Sequence, residues 1–135
     1  LILIGASSLF FQLKWGDPIG VVILVLAAVF GATGWGMFIT ALARTPAQVA
    51  NIGMSIMLIF GIMGGSFISL DQMPPALQTF SKITPNAWAL DGFTTLALGG
   101  TLTSLSAPIT ALLSMGMILF LVSVVMFGKK NLVQK

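Results

Sequence analysis

Few side chains in this sequence could do chemistry. Its 135 residues include three acids, Asp17, Asp71 and Asp91, and no glutamate, histidine or cysteine. General acid–base catalysis needs positioned titratable side chains, and zinc sites are built mainly from histidine and cysteine. The acids are widely separated, and there is no GxxxxGK[ST] phosphate-binding loop. The sequence therefore does not support metal hydrolysis, thiol catalysis or nucleotide hydrolysis within this chain, and we expect no cofactor in it.

The composition indicates a protein that lies in lipid. Hydrophobic residues make up 57% of the chain and charged residues 7%. A water-soluble domain of this size would have too few polar side chains to cover its surface. The predicted fold class is all-α, a polytopic membrane helix bundle that forms one domain.

Three stretches are long and apolar enough to cross a bilayer, which takes about 20 helical residues. They are residues 19–43, 51–70 and 107–127, and none of the three contains a charged side chain. A fourth stretch, residues 1–13, is apolar but too short. It has no initiating methionine and no basic residue ahead of it, so we interpret it as part of a span and the chain as the C-terminal portion of a longer protein.

Residues 71–100 form a polar segment, broken by prolines, between the second and third spans. Asp71, Lys82 and Asp91 would each cost about 2.5–3.5 kcal/mol at the centre of a membrane helix, so the segment is not expected to cross. Two short interfacial helices are predicted instead. Asp71 is expected to cap the first, which is entered through Pro74 and Pro75.

The second short helix is predicted from the residues that follow. Pro85 should end the first helix and Asn86 should begin the second. Trp88 should then lie at headgroup depth, as aromatic rings prefer at membrane interfaces, and Asp91 lies one turn further on. This external pair of helices is the predicted lid.

The basic residues predict the orientation of the chain. Four of the six would lie on one side of the three-span arrangement: Arg44, Lys129, Lys130 and Lys135. The positive-inside rule places that side, with the turn at Arg44 and Thr45 and the C-terminus, in the cytoplasm, and segment 71–100 outside. Nucleic-acid binding is not expected, because the basic residues fall on both sides and form no basic face.

Two polar or small pairs within the spans are candidates for packing or transport. Gly61 and Gly65 have the GxxxG spacing that permits close helix approach, either in ordinary packing or at a dimer seam. Asn51 and Ser55 share a helix face at i, i+4. They could line a translocation path or bond to a neighbouring helix.

Several segments together resemble the C-terminal half of ABC-2 type transporter permeases. They are GMFITALARTPAQ (36–48), GGSF (64–67), Met73-Pro74 and ITPNAWALDGF (83–93). The resemblance implies six spans, of which residues 1–13 end the third, and two short external helices before the last. It also implies a second permease domain and cytoplasmic ATPase subunits that bind ATP and magnesium.

The resulting hypothesis is a permease subunit of an ATP-driven exporter in the plasma membrane, working by alternating access. Its uncharged spans favour a hydrophobic or amphipathic substrate. The main alternative is a membrane scaffold or assembly subunit that transports nothing, and an intramembrane enzyme is a third.

Overall fold

The fold is all-α, as the composition predicts. The computed structural model describes residues 16–68 and 72–133, with the backbone alone for 129–133, and these ranges contain no β-strand. In chain order the helices are α1 (Pro18–Leu42), α2 (Pro46–Met63), α3 (Pro75–Ser81), α4 (Pro85–Ala97), a 3₁₀ helix (Leu102–Leu105) and α5 (Ser106–Val133). The partial span expected at residues 1–13 and the predicted cap Asp71 lie outside the described residues.

Among the described residues, three helical segments are long and apolar enough to cross a membrane. They are Pro18–Leu42, Pro46–Met63 and Leu102–Gly128. Their outward surfaces remain apolar: Met54 and Met57 of α2 are 78% and 74% exposed, and Ile118 of α5 is 61% exposed. A helix that is hydrophobic on all sides is typical of a membrane span. The confirmed class is therefore an all-α membrane helix bundle.

The second membrane helix begins and ends earlier than the expected range of 51–70. Thr45 starts it, because its hydroxyl oxygen accepts a hydrogen bond from the N–H of Gln48 at 3.2 Å. Pro46 follows at the first helical position, where its missing N–H costs nothing. At the other end the chain leaves the helix at Gly64, and Gly65 takes φ 85°. Local capping has overridden the apolar pattern, which continues to residue 70.

α1 and α5 run in the same direction and form the main contact of the bundle. Gly20 of α1 lies next to Leu105, Gly31 lies next to Leu112, and Gly34 lies next to Gly116. The buried core is where these helices meet α4, and it consists of Val21, Leu24, Ala27, Leu96, Leu105 and Leu112. A parallel α1 and α5 require the chain to return between them, and α2 to α4 provide that return.

α4 packs lengthwise along α1 in the opposite direction. Near its C-terminal end, the carbonyl of Leu96 accepts a hydrogen bond from the N–H of Gly16 at 2.9 Å. Near its N-terminal end, Asn86 and Trp35 line one cavity. Trp35 lies about 25 Å along α1 from Pro18, at ~1.5 Å per residue. The turn between α3 and α4 therefore lies beside the part of α1 near Trp35, far along that helix from its start at Pro18.

The caps of the two short helices differ from those expected. α3 has Pro74 at its N-cap, with no side-chain hydrogen bond there. Pro85 does not end α3, which stops at Ser81; it is the first residue of α4 instead. Thr84 caps α4 by accepting from the N–H of Ala87 at 3.3 Å. Asn86 is consequently the second residue of the helix, because a Thr-Pro pair satisfies the helix start one residue earlier.

Candidate functional site

Trp35 of α1 connects three membrane helices. Its ring meets Phe60 of α2 edge-on, with ring centroids 4.8 Å apart, and meets Phe38 of its own helix at 5.9 Å. Its indole Nε1–H points to the sulfur of Met115 on α5, at 3.1 Å. Edge-to-face ring pairs and sulfur contacts each add to the stability of packing beyond burial alone. Trp35 therefore fixes the distance between α1, α2 and α5 at one level of the bundle.

A cavity of about 430 Å³ lies on one side of Trp35, between α1, α2 and the first residues of α4. We call it the α1–α2 cavity. Its lining is almost entirely apolar and includes Trp35, Gly36, Thr40, Gly53, Phe60 and Asn86. None of the described residues that line it is ionisable. The cavity thus suits an uncharged and mainly apolar occupant.

Two polar side chains reach the α1–α2 cavity, and they differ in their hydrogen bonding. The Thr40 hydroxyl donates to the carbonyl of Gly36 at 2.8 Å, within its own helix. The Asn86 side-chain amide makes no hydrogen bond with the described residues. Gly64 allows Asn86 to come this close to α2, since a Cβ at Gly64 would lie 2.5 Å from the Cβ of Asn86. The Asn86 amide is therefore the available hydrogen-bonding group of the cavity.

Trp88 and Lys82 line a second cavity, which has a volume of about 570 Å³ and lies between the α3–α4 turn, α1 and α5. The Trp88 Nε1–H donates to the carbonyl of Lys82 at 2.7 Å, and the Lys82 Nζ lies 5.7 Å from the centroid of the Trp88 ring. Trp35 and Met115 line this cavity too. Trp88 thus lines a cavity together with residues of α5, and the headgroup depth predicted for it stays a prediction.

Asn51 and Ser55 share a face of α2, and both are exposed. The Ser55 hydroxyl donates to the carbonyl of Asn51 at 2.9 Å, so this bond stays within the helix. It does not join α2 to another described helix. Lining of a translocation path by these two residues stays a prediction.

Gly61 and Gly65 do not form the helix face that their GxxxG spacing suggested, and a dimer seam at these residues stays a prediction. Gly65 follows the end of α2 at φ 85°, so the two residues do not share a helix face. A Cβ at Gly61 would lie 2.6 Å from the ring of Phe67, in the turn that follows the same helix. A backbone contact between helices joins Gly34 of α1 to Gly116 of α5, where a Cβ at Gly34 would lie 2.7 Å from the Gly116 carbonyl oxygen. Glycine spacing within each helix was the available signal, but it does not identify the partner.

The turn between α1 and α2 is closed by its own side chains. Besides the Thr45 cap, the backbone N–H of Arg44 donates to the Gln48 side-chain oxygen at 2.8 Å. Arg44 is exposed.

In the lid segment Asp91 is exposed on α4, and Pro74 is exposed at the start of α3. Of the predicted lid residues that the structure describes, Pro85, Asn86 and Trp88 lie together at the start of α4, next to its turn with α3.

Residues 1–98 match the sequence model of the family described as ABC-2 type transporter. The chain belongs to this family. The match ends one residue after α4, so it includes both short helices. The resemblance found in the sequence is thereby confirmed.

A curated relative carries a functional name. The linearmycin resistance permease protein LnrN of Bacillus subtilis (strain 168) is 28% identical to this chain over 99 residues. These are 73% of this chain and 26% of the relative, so the chain spans about a quarter of that protein's length. No solved structure matches the chain.

Proposed function

We propose that this ABC-2 family chain is part of the permease subunit of an ATP-binding cassette exporter in the plasma membrane. The observation that carries the proposal is the family match over residues 1–98. A relative named as a resistance permease supports it. ATP and magnesium bind to a separate ATPase subunit, and a second permease domain completes the pathway, through which cargo moves by alternating access.

The cargo is hydrophobic or amphipathic. Helices α1 and α2 contain no ionisable residue, so they offer no counterion to a charged molecule within the membrane. The described cavity between them is also uncharged. Both observations support export of lipophilic molecules.

The α3–α4 segment forms the lid at the exit. Because α4 lies along a membrane helix, we infer that the segment re-enters the bilayer from the outer side. Its turn carries Lys82, whose side chain is exposed and would cost about 2.5–3.5 kcal/mol in lipid. Water in a translocation path would remove that cost. A turn that needs water therefore fits the outer part of such a path.

Cysteine labelling tests the orientation. Ala47 and Leu98 are exposed at opposite ends of the bundle, and neither side chain makes a core contact that substitution would remove. In intact cells an impermeant maleimide should label Leu98→Cys and not Ala47→Cys, because positively charged turns stay in the cytoplasm. Permeabilised cells serve as the control and should label both. Labelling of Ala47→Cys from outside would mean that the orientation is reversed.

Reconstitution tests the transport function. The full-length permease, co-purified with its ATPase and placed in proteoliposomes, should move lipophilic cargo only when ATP and magnesium are supplied. The matched control is an ATPase variant that binds ATP without hydrolysing it. A scaffold would assemble with its partners and show no ATP-dependent movement for any of a broad set of uncharged and cationic lipophiles. That result would favour the scaffold alternative.

A further inference from the structure

We propose that the α1–α2 cavity is a binding site for an uncharged, compact lipophilic molecule that carries one hydrogen-bonding group for the Asn86 amide. The proposal rests on the transport function and narrows its cargo class. The site belongs to a single copy of the chain, because α1, α2 and the start of α4 provide its walls.

Glycines keep this cavity open. A Cβ at Gly36 or at Gly53 would have no neighbouring atom within 4 Å, and both glycines line the cavity. Glycine weakens a helix relative to alanine, and in membrane helices it usually allows a second helix to approach closely. Close approach explains Gly34, whose Cβ would lie 2.7 Å from the Gly116 carbonyl oxygen. It does not explain Gly36 or Gly53. Both line the α1–α2 cavity, and neither has a helix packed against it.

The volume of the cavity is that of a small-molecule pocket. Ligand pockets commonly measure about 300–1,000 Å³, and the α1–α2 cavity measures about 430 Å³. A compact ligand would therefore fill it.

The lining specifies the chemistry of the ligand. The Asn86 side chain is only partly buried and makes no hydrogen bond with the described residues, so its amide is accessible to a ligand. The Asn86 amide offers two N–H donors and a carbonyl acceptor. A ligand carbonyl or hydroxyl would satisfy it, while the Trp35 and Phe60 rings meet the apolar part. A charged ligand would find no counterion in the described lining.

The test uses the full-length permease in lipid nanodiscs and Nile red, an uncharged lipophilic dye with one carbonyl group. Wild type should give a saturable fluorescence increase above that of empty nanodiscs. Gly36→Leu and Gly53→Leu fill the cavity from opposite walls, and each should weaken the Kd at least tenfold. Asn86→Leu keeps the size of the side chain and should weaken the Kd about three- to tenfold.

Gly128→Leu is the matched control, because it also places a leucine at a helical glycine with open space around it, near the end of α5. Its Kd should equal that of wild type. Thermal midpoints of all variants show whether they are folded. Because there are two independent cavity-filling variants, the test remains possible if one of them fails to fold. Unchanged Kd values in both folded filling variants, or no saturable dye binding by wild type, would overturn the proposal.

Efflux separates this site from the wider function. Saturable, variant-sensitive dye binding without any ATP-driven efflux would keep the site and reject the exporter. Both filling variants could instead export the dye in an ATP-driven manner, with the same dependence on dye concentration as wild type. That result would support the exporter and reject the site. A cationic dye of similar size should bind at least tenfold more weakly than Nile red, and equal binding would contradict the uncharged class.

Discussion

Leucine in place of Gly34 should strongly destabilise the folded bundle. A Cβ at this position would lie 2.7 Å from the carbonyl oxygen and 2.8 Å from the Cα of Gly116 on α5. Both neighbours are backbone atoms, so the helices themselves would have to separate. Overpacking of a core typically costs about 1–3 kcal/mol, and separation of the main helix pair should reach the upper end or exceed it. That is a large part of the stability of a domain.

Gly36→Leu is the control for this experiment, because it adds the same side chain two residues further along α1 into open space. It should fold as well as wild type, or slightly better, since leucine favours helix more than glycine does. The yield of monodisperse protein in detergent and the thermal midpoint measure both effects. Equal stability of Gly34→Leu and wild type would show that α1 and α5 do not meet at these glycines.

The fold class and the three membrane helices of the described residues could be predicted because every residue of a span must be compatible with lipid. Uncharged apolar runs of sufficient length meet this requirement, and they can be found without knowing any contact. The prolines of segment 71–100 likewise indicated two short helices. Their first residues were missed because Thr84 and Pro85 together start α4 earlier than Asn86 would.

Contacts between helices could not be predicted in the same way. The Gly34–Gly116 contact joins residues far apart in sequence, and many glycines could have formed it. Gly61 and Gly65 had the expected spacing within one segment, but the helix ended between them. The α1–α2 cavity depends on Gly36 and Gly53 having no neighbour, which is a property of the packed bundle and not of either helix.

The contacts of Trp88 were also beyond the reach of the sequence. Its ring packs against the core formed by Leu24, Leu96 and Leu112 and lines a cavity with residues of α5, and its indole N–H donates to the carbonyl of Lys82. These contacts depend on how the helices pack. The preference of tryptophan for the membrane interface is a property of the isolated residue, so the headgroup depth of Trp88 stays a prediction.

Truncation of Trp88 should have the largest effect on transport. The side chain holds the α3–α4 turn through its hydrogen bond to Lys82 and packs against the core. In Trp88→Ala both interactions are lost, so the turn should change position relative to α5 and the lid should no longer close on the path. We expect ATP-driven efflux to fall at least tenfold. This factor corresponds to a change of about 1.4 kcal/mol in the free-energy difference between the closed and open lid. ATP hydrolysis should continue, uncoupled from cargo.

Two further variants separate the position of the lid from general folding. Trp88→Phe keeps a ring against the core and removes only the hydrogen bond, so efflux should fall about two- to tenfold, the range for a bond of roughly 0.5–1.5 kcal/mol. Leu90→Ala removes an apolar side chain from the exposed side of the same helix and should leave efflux unchanged.

Efflux and ATP hydrolysis are measured in proteoliposomes, together with the thermal midpoint of each variant. Wild-type efflux by Trp88→Ala would refute the lid role, and an equal loss in Leu90→Ala would show that α4 matters only for folding. A graded loss from Phe to Ala at constant ATP hydrolysis is the result that a positioned lid requires, because the hydrogen bond and the ring packing hold the same turn independently.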